Sequence, residues 1–284
     1  MGKRGRQIRR SAGQRLIVIG GGAILVLGLL FGASLRMEQK AAVPAPAAEP
    51  VIRAEGPAQE PEPEDLMTPE EKLAAIEAGG DYPKKLVQMA RGNAEAIDFV
   101  YQYPHRKGER TKKIDLREDM KQEGVPLLMQ WDERWGYQEY GDGPMGYTGC
   151  GPTCLSMASV YLTGRDKWNP ARVADMAVEQ GYMLQNHGSS WKLISEGCEH
   201  VGLRAEALPL VCGAMVDALD RGELIILALG PGDFTGSGHF VLVTGYETDG
   251  FRIHDPNRRK NSEKLWGFSQ LKGQIRNIWA MSAL

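Results

Sequence analysis

The chain has 284 residues, a formal net charge of −2 and 25% charged residues, a balance in which nothing suggests nucleic acid as the main partner. Four cysteines in this length match no disulfide scaffold. Cys150 and Cys154 are separated by three residues, with nothing nearby in sequence to complete a zinc site, so no metal and no organic cofactor is expected.

Charge is uneven along the chain. Residues 1–40 hold eight Lys/Arg and one Glu, a local +7 that leaves −9 for the rest. Residues 1–15 read as a basic cytoplasmic tail, carrying Lys3, Arg4, Arg6, Arg9, Arg10 and Arg15. Residues 16–35 contain no charged side chain, and a helix of 20 residues spans about 30 Å of hydrocarbon. The positive-inside rule keeps the N-terminus in the cytoplasm and places everything after residue 35 outside. A cleaved signal peptide is the alternative, since Gly32-Ala33-Ser34 offers small residues, but the run is longer than a usual signal core. Residues 36–65 read as a Pro/Ala/Glu-rich linker, too poor in apolar residues to offset the entropy of ordering.

Residues 66–119 read as a helical lead-in. Thr68-Pro69-Glu70-Glu71 forms a capping box, and Gly79-Gly80 ends that helix. A second helix is expected over Pro83–Ala90, stopped by Gly92. Asn93 caps a third, with Ile97, Val100 and Tyr101 on one face and Tyr103-Pro104 at its end. The charged residues 105–119 are expected to loop over the surface. The segment is a packing appendage that could also cover a cleft.

The remainder, residues 120–284, carries the chemistry. After Cys150 the residues Cys154, Leu155, Ala158, Tyr161 and Leu162 recur at the spacing of one buried helix face, closed by Thr163-Gly164. Pro152 suits the first turn. A cysteine at a helix N-terminus meets unpaired N–H groups and a dipole that favour the thiolate; a small packing residue or half of a disulfide remains open. Asn169-Pro170 caps a helix through Ala177, Gly188-Ser189-Ser190-Trp191 begins another to about Cys198, and Val216–Leu219 belongs to a third, ended near Gly222. Leu224–Leu229 is a continuous apolar strand buried on both faces. Pro231–Gly238 is a glycine-rich loop that delivers His239 to the strand Phe240–Tyr246. Turn residues and a short strand, Phe251-Arg252-Ile253, lead to His254-Asp255-Pro256. Ile278–Met281 is expected as a closing edge strand. Helices first and strands later is an α+β order.

A cysteine on a helix mouth, a histidine opening a strand and a carboxylate ending the next strand are the parts of a nucleophile, base and orienter. Gln130 is the candidate oxyanion donor, its side-chain NH2 joining the Cys150 backbone N–H; Gln138 is a rival. Of the other histidines, His105 and His200 read as solvated, His187 as a possible cleft residue, and His254 as facing away from its neighbour Asp255. Asp255-Pro256 has simple turn chemistry as its alternative.

The hairpin raises a geometric difficulty. A two-residue Asp249-Gly250 turn would pair Thr244 with Asp255, leaving His239 five residues along the strand, about 17 Å away. A wider loop or a bulge is therefore expected.

Gln130 and Trp131, Cys150-Gly151-Pro152-Thr153, Gly238-His239-Phe240 and Asp255-Pro256, in that order, resemble the papain-like cysteine peptidases, and more closely their double-glycine (bacteriocin) leader peptidase-like branch. The resemblance implies a papain-like fold over residues 120–284. It implies a bacterial peptidase with Cys150 as nucleophile, His239 as base, Asp255 as orienter and Gln130 in the oxyanion hole. It also implies a peptide or protein substrate. The sequence departs from the branch in the 20-residue gap from Gln130 to Cys150, filled by a Tyr- and Gly-rich insertion that could line the cleft. A cell-wall peptide amidase of the same superfamily and a catalytically silent peptide-binding module are the other readings. The expected protein is a single-pass, membrane-anchored monomer with its C-terminal part extracytoplasmic. A Cys198–Cys212 bridge is a further possibility.

Overall fold

A computed structural model describes residues 67–185 and 188–284. The expected basic tail, membrane span and linker lie outside the described residues, as does His187. Among the described residues no helix is long and apolar enough to cross a membrane.

The lead-in forms as its caps dictate. Helix α1 (Pro69–Ala78) starts on the Thr68–Glu71 capping box, with Pro69 in its first turn and Gly79 at its end. Helix α2 (Lys84–Gly92) follows, and Asn93 caps a 3-10 turn over Ala94–Ala96 that runs into α3 (Ile97–Arg106). Pro104 does not end α3, contrary to expectation. The buried Tyr103 and the Arg106 guanidinium, stacked on the Tyr137 ring and bonded to Glu109 and Glu133, hold the last turn despite the missing N–H. Ile76, Leu86, Phe99 and Val100 make a small core closed by Tyr137.

The main body is α+β. Helix α4 (Met145–Thr148) precedes α5 (Cys150–Thr163), which ends on Gly164 at φ 67°, a left-handed position that suits glycine. Every residue from Gly151 to Val160 is buried, so α5 runs through the core, not along its surface. The one-face reading holds for Cys154, Leu155 and Ala158. It fails at Tyr161, 45% exposed, because the last turn leaves the core. Helix α6 (Pro170–Glu179) is capped by Asn169, and the small hairpin β1 (Met183–Leu184) and β2 (Gly188–Ser189) follows. The helix expected from Gly188 to Cys198 is instead one turn, α7 (Lys192–Ser195), and a 3-10 segment over Gly197–Val201.

Strand β3 (Leu203–Ala207), helix α8 (Cys212–Asp220) and strands β4 (Leu224–Leu229), β5 (His239–Glu247) and β6 (Gly250–His254) come next. Helix α9 (Arg259–Ser262), strand β7 (Leu265–Trp266), helix α10 (Phe268–Leu271) and strand β8 (Ile275–Ala283) complete the chain. One antiparallel sheet has the order β3-β8-β4-β5-β6-β7. Strand β8 is therefore central, not the expected edge: β3 covers its outer side with Leu203 opposite Ala283. On β4 alternate residues serve different cores. Leu224, Ile226 and Ala228 pack with α5, and Ile225, Leu227 and Leu229 pack with α8. That two-sided burial explains the unbroken apolar run.

Candidate active site

Cys150 opens α5 at the rim of a cleft of about 720 Å3 that is also lined by Gln130, Gly238 and His239. The backbone at this mouth is crowded, and glycine is required. A Cβ on Gly149 would meet the Met145 carbonyl, and one on Gly151 the Ser189 hydroxyl, itself 2.7 Å from Tyr140 Oη. The Thr153 hydroxyl donates to the Gly149 carbonyl at 2.8 Å and ties down the turn.

The hairpin between β5 and β6 resolves the reach from His239 to Asp255. Its two-residue turn is Thr248-Asp249, one residue earlier than expected, with Glu247 opposite Gly250. A bulge between Val243 and Gly245 slips the register once more, leaving Leu242 opposite His254. Continued by one residue, this register sets Asp255 across from Val241, so His239 is its diagonal neighbour on the same face. His239 Nε2 donates to Asp255 Oδ1 at 2.8 Å. The expected bulge is present, but the turn itself is tight.

The Cys150 thiol acts on the same imidazole and raises its pKa, so the ring is set between thiol and carboxylate. His239 is 9% exposed and Asp255 0%. Burial is the largest single influence on His239 and would lower its pKa, but it is opposed by the charge of the Asp255 carboxylate. With the bonds to Asp255 and Cys150, the pKa rises to about 10. Burial pushes Asp255 up, yet His239⁺ and the donors on its oxygens bring it below its ordinary value. Those donors are the Asn257 backbone N–H, 2.8 Å from Oδ1, and Asn261 Nδ2, 2.6 Å from Oδ2. Asp255 thus also makes the turn foreseen as its alternative role: its carboxylate accepts from the backbone two residues on.

Gln130 reaches this cleft despite the long gap. Its backbone N–H donates to the Pro256 carbonyl at 2.8 Å, and the Trp131 indole donates to the Asn257 carbonyl at 2.8 Å. The insertion folds back on itself, Met145 N–H to the Gln138 carbonyl and Gly146 N–H to the Gly136 carbonyl. The Gly146 carbonyl therefore returns to accept from Gln130 Nε2 at 2.8 Å. Gln138 is elsewhere, bonded to Asp175 beside α6. Within the insertion, Tyr137 and Tyr140 are buried, and only Asp142, Tyr147 and Thr148 line the cleft.

Among the described residues, the other histidines stand apart from the cleft lining. His105 and His200 are exposed. His254 points away from the site, bonded to the Pro126 carbonyl with Nδ1 buried and unpartnered, and burial lowers its pKa to about 4. All four cysteines are free. Cys198 packs with the α5 side of the sheet and Cys212 with the α8 side, so the sheet separates them and the possible bridge is not formed.

Sequence reasoning missed Asn261 and the clamp on its loop. Asn93 Nδ2 donates to the Asn257 carbonyl at 2.7 Å, and the Glu95 carboxylate accepts from the backbone N–H groups of Arg259 and Lys260. The lead-in also supplies Lys85, Gln88, Met89 and Gly92 to the cleft wall, so it is more than an appendage. No local pattern signals contacts separated by 164 residues.

Comparison with known proteins adds the family. The Peptidase_C39 like family matches residues 122–283. The chain is similar to the peptidase domain of Streptococcus ComA, a bifunctional ABC transporter involved in quorum sensing. That likeness has a TM-score of 0.38 at 16% identity, over 48% of this chain and 93% of that one. It is also similar to a candidate C39-like peptidase from Bacillus anthracis, with a TM-score of 0.34 at 16% identity, over 55% of this chain and 94% of that one. No curated protein matches. The assignment rests on the family match, which spans more than half of the chain: the protein belongs to the Peptidase_C39 like family and is a cysteine peptidase.

Proposed function

We propose that the protein is a membrane-anchored, extracytoplasmic peptidase that cleaves peptide bonds through Cys150, His239 and Asp255, with Gln130 in the oxyanion hole. The observation that carries this reading is the His239 ring held between Asp255, at 2.8 Å, and Cys150. Cys150 Sγ attacks the carbonyl carbon, and charge builds on the carbonyl oxygen. The Cys150 backbone N–H and Gln130 Nε2 donate to that oxygen. His239 passes its proton to the departing amine, leaving an acyl-enzyme thioester. It then takes a proton from the water that attacks the thioester, releasing the acid and restoring the thiol. Asp255 keeps Nε2 protonated, so that Nδ1 faces the sulfur throughout.

Anchoring is supported by the uncharged run of residues 16–35 behind six positive charges. In this layout residues 1–15 stay in the cytoplasm, 36–65 hold the body off the membrane, 66–119 are the lead-in and 120–284 the peptidase, working as a monomer on peptide or protein substrates. The test is cleavage of a peptide library by the full chain beside Cys150→Ala. Turnover that drops by about 10³-fold or more in the variant is expected. Equal turnover by the two proteins would remove Cys150 from the chemistry.

A further inference from the structure

We propose that Arg258, with Asn257 beside it, forms a substrate subsite that takes a carboxylate. The inference rests on Cys150 as the nucleophile of the same cleft, which both residues line. Two adjacent side chains there have unmet hydrogen-bonding groups. Arg258 Nε is buried with no acceptor and Asn257 Oδ1 is buried with no donor. Buried polar atoms are nearly always paired, so two orphans on consecutive residues of one cleft wall call for a ligand. A guanidinium cannot shed its proton to escape the cost.

The carboxylates around this edge are already engaged. Asp142 pairs with Lys85, Glu95 accepts from the Arg259 and Lys260 N–H groups, and Asp255 holds His239, Asn257 N–H and Asn261. Among the described residues Arg258 forms no ion pair. Its guanidinium lies against the end of α2, where a Cβ on Gly92 would stand 3.5 Å from Nη2. The negative end of that helix draws a cation to the spot without giving it a hydrogen-bond partner. Asn257 is held through its main chain, its N–H on Asp255 and its carbonyl on Asn93 and Trp131. The pair is therefore placed before substrate arrives. A guanidinium fork matches a carboxylate with two parallel bonds. In the proposed complex Asn257 Oδ1, now without a donor, would accept a neighbouring peptide N–H.

The carboxylate comes from an Asp/Glu side chain or from a peptide C-terminus, and the experiment separates the two. Full-length Cys150→Ala protein is offered arrayed peptides in matched pairs, Asp/Glu against Asn/Gln within the sequence and free acid against amide at the C-terminus. Capture at least about tenfold stronger for the acid in one of the two sets is expected, with the preference lost in Cys150→Ala/Arg258→Gln and reduced in Cys150→Ala/Arg258→Lys. Near-ultraviolet circular dichroism verifies the fold of each variant, and the lysine variant serves alone if the glutamine variant does not fold. Equal capture of acid and amide, no capture of either, or a preference that survives both Arg258 changes overturns the proposal. Cys150-dependent turnover without acid preference sinks only this subsite. Acid preference without turnover sinks only the catalytic reading.

Discussion

At the scale of single residues, the cysteines are sorted by their neighbours. Burial pushes the Cys154 thiol well up and the Cys198 thiol to about 11, so neither supplies much thiolate. Cys150 and Cys212 are both part-exposed and both open a helix, so helix position does not separate them. The difference is His239, since an imidazolium beside a cysteine stabilises the thiolate that reacts. Brief iodoacetamide treatment followed by mass spectrometry should find label on Cys150 first. His239→Ala should bring its labelling rate down to that of Cys212. Faster labelling of Cys212 in the wild type would count against an active nucleophile. His254 makes a pH prediction. Its pKa falls from an unfolded value of 6.5 to about 4 in the fold, so the unfolded chain binds the extra proton between these values. Stability should therefore fall as pH drops from 6.5 towards 4, by a few kcal/mol from this residue. His254→Gln keeps a donor for the Pro126 carbonyl but does not titrate. Urea midpoints for the two proteins should converge in that window as pH falls, and parallel curves would remove His254 as the cause.

At the scale of elements, α3 and the insertion before Cys150 are packed into one another. The Phe99 and Tyr137 rings stack with centroids 4.8 Å apart, and a Cβ on Gly146 would overlap the Phe99 ring. Gly146 also presents the carbonyl that receives Gln130 Nε2. Gly146→Ala should cost about 2 kcal/mol or more through overpacking, read from the denaturation midpoint. It should also weaken turnover more than a surface Gly→Ala change does, because Gln130 shifts with the carbonyl. A variant as stable as the wild type would mean that Phe99 moves aside freely.

For the whole molecule, the proposed membrane orientation rests on the charge asymmetry of residues 1–40. Protease added to protoplasts expressing the full chain should digest the part beyond about residue 40 and leave a short basic fragment protected. Protection of the peptidase part would reverse the orientation. The lead-in and the peptidase part meet at the loop that follows Asp255. Asn93 and Glu95 hold Asn257, Arg259 and Lys260, while Asn257 N–H and Asn261 hold Asp255. The carboxylate that accepts from His239 is thus braced through residues more than 150 positions upstream, and the order of the parts in the chain conceals it.

Sequence by itself determined what local chemistry can encode. The Thr68, Asn93 and Asn169 caps, the Gly164 stop, the buried β4 run and the helix mouth at Cys150 all follow from periodicity and from groups that must be paired within a few residues. The family was legible too, in four short motifs in a fixed order. Tertiary structure decided register and neighbourhood. Whether His239 meets Asp255 turned on one bulge and a one-residue shift of a turn, changes that leave composition and pattern untouched but move partners by about 7 Å for every two residues. Strand β8 became central because β3, with only Leu203 fully buried, found its open edge, and backbone pairing does not need a strong side-chain pattern. Tyr161 emerged into solvent, and Pro104 stayed inside a helix, because the surroundings of those turns come from distant parts of the chain.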